Sequence, residues 1–122
     1  MSYLKKRSLA FGFALSGLFK AFKSEKHLQL HLIIAALVIA AGFYFSISKT
    51  EIFVVAGCIA LVISLELINS AIEKLCDLYS TEYSAKIKYI KDVSAGAVLV
   101  ASVFAATAGI MIFWPYIKRL IC

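Results

Sequence analysis

Three apolar runs dominate the chain: about residues 28–45, 52–68 and 94–114. Each approaches the ~20 residues an α-helix needs to cross ~30 Å of hydrocarbon. A spanning segment in lipid must satisfy its own backbone, and consecutive apolar residues of this length do so as helices. The expected class is therefore all-α and integral to a membrane, with three spans. At 122 residues there is room for one domain, residues 1–122. Charged residues make up 16% of the chain, against about 25% in soluble domains.

A net charge of +6 raises nucleic acid as a partner, but in so hydrophobic a chain it reads as a basic membrane face. Lys5, Lys6 and Arg7 before the apolar run Leu9–Phe19 mimic a signal peptide. Lys20 and Lys23 follow at once without a small-residue cleavage site, so this segment is expected to stay. On a helical wheel Leu4, Phe11, Leu15, Leu18 and Phe22 share one face, with Lys5, Gly12, Ser16, Lys20 and Lys23 on another. The pattern predicts an N-terminal amphipathic helix over residues 4–22, lying on the membrane. Cys58, Cys76 and Cys122 form neither a metal motif nor a disulfide framework.

Basic residues set the orientation. Six precede the first span and Lys74, Lys86, Lys88 and Lys91 lie between the second and third, leaving Lys49, Lys118 and Arg119 opposite. The positive-inside rule puts the N-terminus in the cytoplasm. Residues 46–51 read as a short hairpin loop and 74–93 as a longer polar connection. Small residues recur every four positions, at Ala56, Ala60 and Ser64 and at Ala97, Ala101, Ala105 and Gly109. Such stripes let helices approach closely, and three helices enclose a polar site poorly alone, so a homo-oligomer is expected.

Six of the seven acids fall on the cytoplasmic side: Glu25, Glu66, Glu73, Asp77, Glu82 and Asp92. Glu66 lies ~20 Å along the second span, inside the inner leaflet, where a carboxylate is costly and usually functional. A packing carboxylate is the bland alternative. Glu66, Glu73 and Asp77 fall within about 40° on the wheel, with Asn69 about 60° from Glu66. Glu66 and Glu73 are ~10.5 Å apart along the axis, too far to share one metal but far enough to hold a triphosphate tail between them. Mg²⁺ takes one or two carboxylates plus phosphate oxygens, which suits the outer acid. Lys91 and Asp92 could hold phosphate at the same edge, or simply anchor the third span.

Two other patterns lead nowhere. His27 and His31 have zinc-pair spacing but no third ligand, so they read as interfacial anchors. Gly12 and Gly17 have the spacing of a phosphate-binding loop, but Leu18 and Phe19 stand where Lys and Ser/Thr are required.

The ordered set Glu66-Leu-Ile-Asn69-Ser-Ala-Ile-Glu73, then Asp77, Glu82-Tyr83 and Lys91-Asp92-Val-Ser-Ala-Gly96-Ala-Val-Leu99 resembles the prokaryotic diacylglycerol kinase family, which includes undecaprenol kinases. The resemblance covers nearly the whole chain. It implies a homotrimer in the bacterial inner membrane, of three-span subunits with surface helices. It implies ATP and a membrane lipid alcohol as substrates, with Mg²⁺ as cofactor. It makes Glu66 the general base, and Glu25 and Glu73 the metal ligands. It places Asn69, Lys91 and Asp92 at nucleotide and phosphate, and Phe13, Glu82 and Tyr83 on the nucleotide side. The Ala95–Leu99 run and the Glu-Leu-Ile-Asn variant are similar to the undecaprenol branch. Ser84 replaces a frequent His, and His27 and Gln29 replace a frequent Asn and Arg. A proton-coupled transporter would account for Glu66 but not for the acids gathered beside Lys91. A scaffold subunit would need none of these acids.

Overall fold

The computed structural model describes residues 2–122. The described chain is four helices: α1 (Tyr3–Ser24), α2 (Lys26–Phe45), α3 (Lys49–Tyr79) and α4 (Ala85–Ile121). The last three are long and apolar enough to cross a membrane. α3 packs against both α2 and α4, so the central span carries more buried residues than any other helix.

α3 and α4 outrun the apolar segments that mark them. With 31 and 37 residues they are about 46 and 55 Å long at 1.5 Å per residue, well over the thickness of hydrocarbon. The sequence reading of 74–93 as a polar connection is corrected here. Helix α3 continues to Tyr79 and α4 begins at Ala85, leaving only residues 80–84 between them. The fall in hydropathy marks the membrane edge rather than a helix end, because Glu and Lys are good helix formers in water. What does end α3 is the run Ser80-Thr81, and what starts α4 is Ser84, whose hydroxyl accepts from the Ile87 N–H.

The turn between α2 and α3 is shorter than the expected hairpin, because Lys49 already belongs to the helix. Ser46 adopts a left-handed conformation (φ 52°) and lets the chain reverse. Ile47 then folds back over Gly42, where a Cβ would come within 3.2 Å of the Ile47 side chain. Ser48 and Glu51 close a reciprocal capping box at the start of α3. Glu51 also accepts from the Tyr116 hydroxyl at 2.8 Å, tying this end of α3 to the end of α4. At the other end Lys91 meets Asp77 at 2.7 Å. These two ties fix the antiparallel register of α3 and α4 along their whole length.

α1 has no buried residue and leaves the bundle at Glu25, which ends one helix and precedes the next. The Gln29 amide donates to the carbonyls of Phe22 and Lys23 at 3.0 and 3.1 Å, satisfying two of the open carbonyls at the end of α1. Gln29, one of the positions that depart from the pattern the sequence resembles, thus holds the α1–α2 corner.

Candidate active site

The inner ends of α2, α3 and α4 bring most of the chain's acids together, and α3 supplies the axis. Glu66, Asn69, Glu73 and Asp77 follow one another along its helical face. Glu66 is only 5% exposed and Asn69 7%, both inside or at the edge of the span. Glu73 and Asp77 are progressively more open. The stripe expected from helical periodicity is therefore present, and it runs from a dry end to a wet one.

The buried end is underfilled with polar partners. The nearest counter-group of Glu66 is His31 on α2, with Nε2 at 3.7 Å from Oε2, beyond direct hydrogen-bond range. Asn69 donates from Nδ2 to Glu73 Oε1 at 3.4 Å, but its buried Oδ1 accepts from nothing. An unpaired buried amide oxygen costs free energy of about 1–3 kcal/mol and marks a place where a donor is missing.

The open end is a cluster of alternating charge. Glu25 at the α1–α2 corner reaches α3 and pairs with Lys74 at 2.9 Å. The Lys74 ammonium is held protonated above its ordinary range, first by the hydrogen bond to Glu25 and further by the charges of Asp77 and Glu73. Lys91 is likewise shifted upward by Asp77. The Lys74 ammonium is thus paired with Glu25 and lies in the negative field of Asp77 and Glu73, which favours positive charge there.

Among the described residues no three acids, histidines or cysteines are grouped closely enough to hold a metal ion unaided. The oxygens of Glu25 and Glu73 are of the hard type Mg²⁺ takes, and phosphate oxygens and water would have to complete its shell.

The remaining site residues named from the sequence are not joined to this cluster within one chain. Asp92 pairs with Lys88 one turn away and faces solvent. Glu82 and Tyr83 lie exposed in the α3–α4 turn, and Phe13 is exposed on α1. Conversely, the structure adds His31 and Lys74. The sequence reads His31 as an interfacial anchor, and the structure sets its Nε2 at 3.7 Å from the buried carboxylate. No motif spacing links it to Glu66, since the two lie on different helices. Lys74 was counted only as a basic residue of the cytoplasmic side.

Beyond His31 an apolar groove of about 490 Å³ opens between the three spans, lined by residues such as Ile34, Val38, Ile59, Ala105 and Gly109.

Comparison with known proteins identifies the family. The prokaryotic diacylglycerol kinase family matches residues 12–113. The undecaprenol kinase of Bacillus subtilis (strain 168) is 34% identical over 99 residues, covering 81% of this chain and 80% of that protein. The diacylglycerol kinase of Haemophilus influenzae is 33% identical over 102 residues, 84% and 82% of the two chains. A Synechocystis diacylglycerol kinase is 32% identical over 108 residues, 88% of this chain but only 62% of that longer relative. With a family match across the spans, the acids and the α3–α4 turn, this chain belongs to the prokaryotic diacylglycerol kinases and is a multi-pass membrane lipid kinase.

Proposed function

We propose that the protein transfers the γ-phosphate of ATP to the hydroxyl of undecaprenol, giving undecaprenyl phosphate. The observation that carries this reading is Glu66: a buried carboxylate without a hydrogen bond, at the dry end of a line of acids that opens onto a cluster favouring positive charge. General-base work on a lipid hydroxyl calls for such a carboxylate, with an oxygen free to accept a proton close to where phosphate is held.

The roles follow from position. Glu66 accepts the hydroxyl proton as the lipid oxygen attacks the γ-phosphorus. The bond from that phosphorus to the bridging oxygen breaks, and its electron pair leaves with ADP. Glu73 and Glu25 hold Mg²⁺, which when bound neutralises the phosphate charge. Asn69 offers its unpaired Oδ1 and its amide N–H at the midpoint of the stripe. Lys91 and Asp92 act at the phosphate edge, with Phe13, Glu82 and Tyr83 on the nucleotide side.

α1 lies on the cytoplasmic surface of the bacterial inner membrane, its apolar face in the headgroup region, with the N-terminus cytoplasmic. The working unit is a homotrimer. Asp92, Glu82, Tyr83 and Phe13 face away from the acid cluster of their own chain, and the Ala56, Ala60 and Ser64 stripe is exposed, which suits a site completed by a neighbour. Mixing inactive Asn69→Ser and Lys91→Leu subunits is then expected to restore a fraction of wild-type activity. No recovery in this or other cross-pairs would confine the site to one subunit.

Undecaprenol is favoured over diacylglycerol by the similarity to the Bacillus enzyme. A competition assay in mixed micelles containing both lipids tests the choice. Preferential labelling of undecaprenol is expected, and a strong preference for diacylglycerol would reverse the substrate while leaving the reaction class standing.

A further inference from the structure

The register fixed by Asp77–Lys91 and Glu51–Tyr116 allows heights in the membrane to be compared across helices. Glu66 is eleven residues beyond Asp77 on α3, and Ser102 is eleven residues beyond Lys91 on α4, so the two stand at one level. Ser102 and His31 line the same groove. From that level the groove runs outward to Phe113, about 16 Å further along α4. It therefore begins beside His31, at the level of the buried carboxylate, and continues along the apolar part of the spans. Apart from His31 and Ser102, its walls are aliphatic or aromatic, with one cysteine.

Small residues on α4 shape it. Ala105, Ala106, Ala108 and Gly109 all line the groove, and a Cβ on Gly109 would meet nothing within 4 Å. The stripe that suggested close helix packing leaves space here. The lining is polar only at its His31 and Ser102 end and apolar from there outward, which matches a membrane molecule with one polar terminus and a hydrocarbon tail.

The His31–Glu66 separation has its own meaning. At 3.7 Å the two atoms are too far apart to bond directly, yet one oxygen can stand ~2.8 Å from both. We propose that His31 and this groove form the lipid-alcohol site, taking a single-chain polyprenol with its hydroxyl bridging His31 Nε2 and Glu66 Oε2. The proposal rests on Glu66 being the general base. All four directions of the hydroxyl oxygen are then used. Its carbon enters the groove, and its hydrogen points to Glu66. One lone pair accepts from the His31 N–H, and the other faces the γ-phosphorus. When the P–O bond forms, the proton passes to Glu66 and the bridging P–O bond to ADP breaks, so the step balances without another reactant. A polyprenol presents one chain to this groove, whereas a glyceride must place its second chain elsewhere.

The test uses the full-length protein in mixed micelles with undecaprenol and with geraniol, whose short chain stops near the inner end of the groove. His31→Phe is expected to raise KM for undecaprenol about tenfold, with nucleotide affinity measured by direct binding unchanged. His31→Gln retains an N–H donor and is expected to recover most of that loss. Gly109→Leu fills the outer part of the groove and is expected to raise the ratio of KM for undecaprenol over geraniol several-fold. The proposal is overturned if His31→Phe leaves the lipid KM unchanged, or if the Gln and Phe variants lose equally, which is the mark of a packing role. It is also overturned if Gly109→Leu leaves the KM ratio as in wild type, including the case where that variant instead alters the oligomer. The base reading fails separately, if Glu66→Gln turns over normally.

Discussion

The two ends of the bundle treat their acids in opposite ways. At the outer end Glu51 is fully engaged: it caps α3 through the Ser48 N–H, accepts from the Tyr116 hydroxyl, and is drawn below the usual carboxylate range first by the Ser48 backbone and then by Tyr116. At the inner end Glu66 is buried without a hydrogen bond, Asn69 Oδ1 has no donor, Glu73 is met only by the Asn69 amide at 3.4 Å, and Glu25 and Asp77 pair with Lys74 and Lys91. The outer carboxylate is satisfied by its own chain, whereas Glu66 and Asn69 are left short of partners that a substrate would bring under the proposed function.

The largest effect is expected from the buried acid. Glu66→Gln keeps its size and removes its basicity, and should lower kcat by ~10²-fold or more while nucleotide binding persists. Steady-state kinetics on a purified variant that keeps its helical content checks this, and near-normal turnover would erase the distinction between the two ends.

Next come the ligands at the open end. Glu73→Gln and Glu25→Gln are expected to raise the Mg²⁺ concentration needed for half-maximal rate, because a site with so few protein oxygens weakens sharply when one is lost. Titration of rate against Mg²⁺ reads this directly. An unchanged requirement in both variants would remove them from the metal site.

A smaller change of the same kind is expected from Gln29→Leu. It uncaps the Phe22 and Lys23 carbonyls and loosens the corner that carries Glu25. The magnesium requirement should shift in the same direction as for Glu25→Gln, by less, with kcat at saturating Mg²⁺ preserved.

The smallest effect on turnover belongs to the outer end. Glu51→Gln should leave kcat and both KM values close to wild type. Its signature lies in stability. A folded-state pKa below the ordinary value near 4.5 means that the Glu51 contribution is present above that pH and lost as pH falls through the depressed value. Thermal unfolding below pH 5 should therefore steepen for wild type, while the Gln variant has lower stability at neutral pH and a flatter acid limb.

Much of this molecule is legible in its sequence, because the membrane imposes simple rules. Span number follows from apolar length, and the Glu66–Asn69–Glu73–Asp77 stripe follows from the helical period. The extent of α3 and α4 does not follow from hydropathy. Leu75, Leu78 and Tyr79 continue α3 into water beside Glu73 and Lys74, where composition reads as connection. Contacts between helices are the other blind spot. The pairing of His31 with Glu66, of Glu25 with Lys74 and of Gln29 with the end of α1 each depends on a crossing or a corner. Neither a period nor a spacing encodes these. Glu51 stood out in the sequence only as the acid on the wrong side, and its use as a cap became plain with Tyr116 in place.

The most direct measurement follows the phosphate itself. The purified protein in mixed micelles, given ATP labelled at the γ-phosphate together with undecaprenol, should pass the label to the lipid phase. Transfer should depend on Mg²⁺, vanish with Glu66→Gln and survive Glu51→Gln. Label that stays in nucleotide and free phosphate whatever lipid alcohol is supplied, or lipid labelling that survives Glu66→Gln but is lost with Glu51→Gln, would contradict the assignment of chemistry to the inner end.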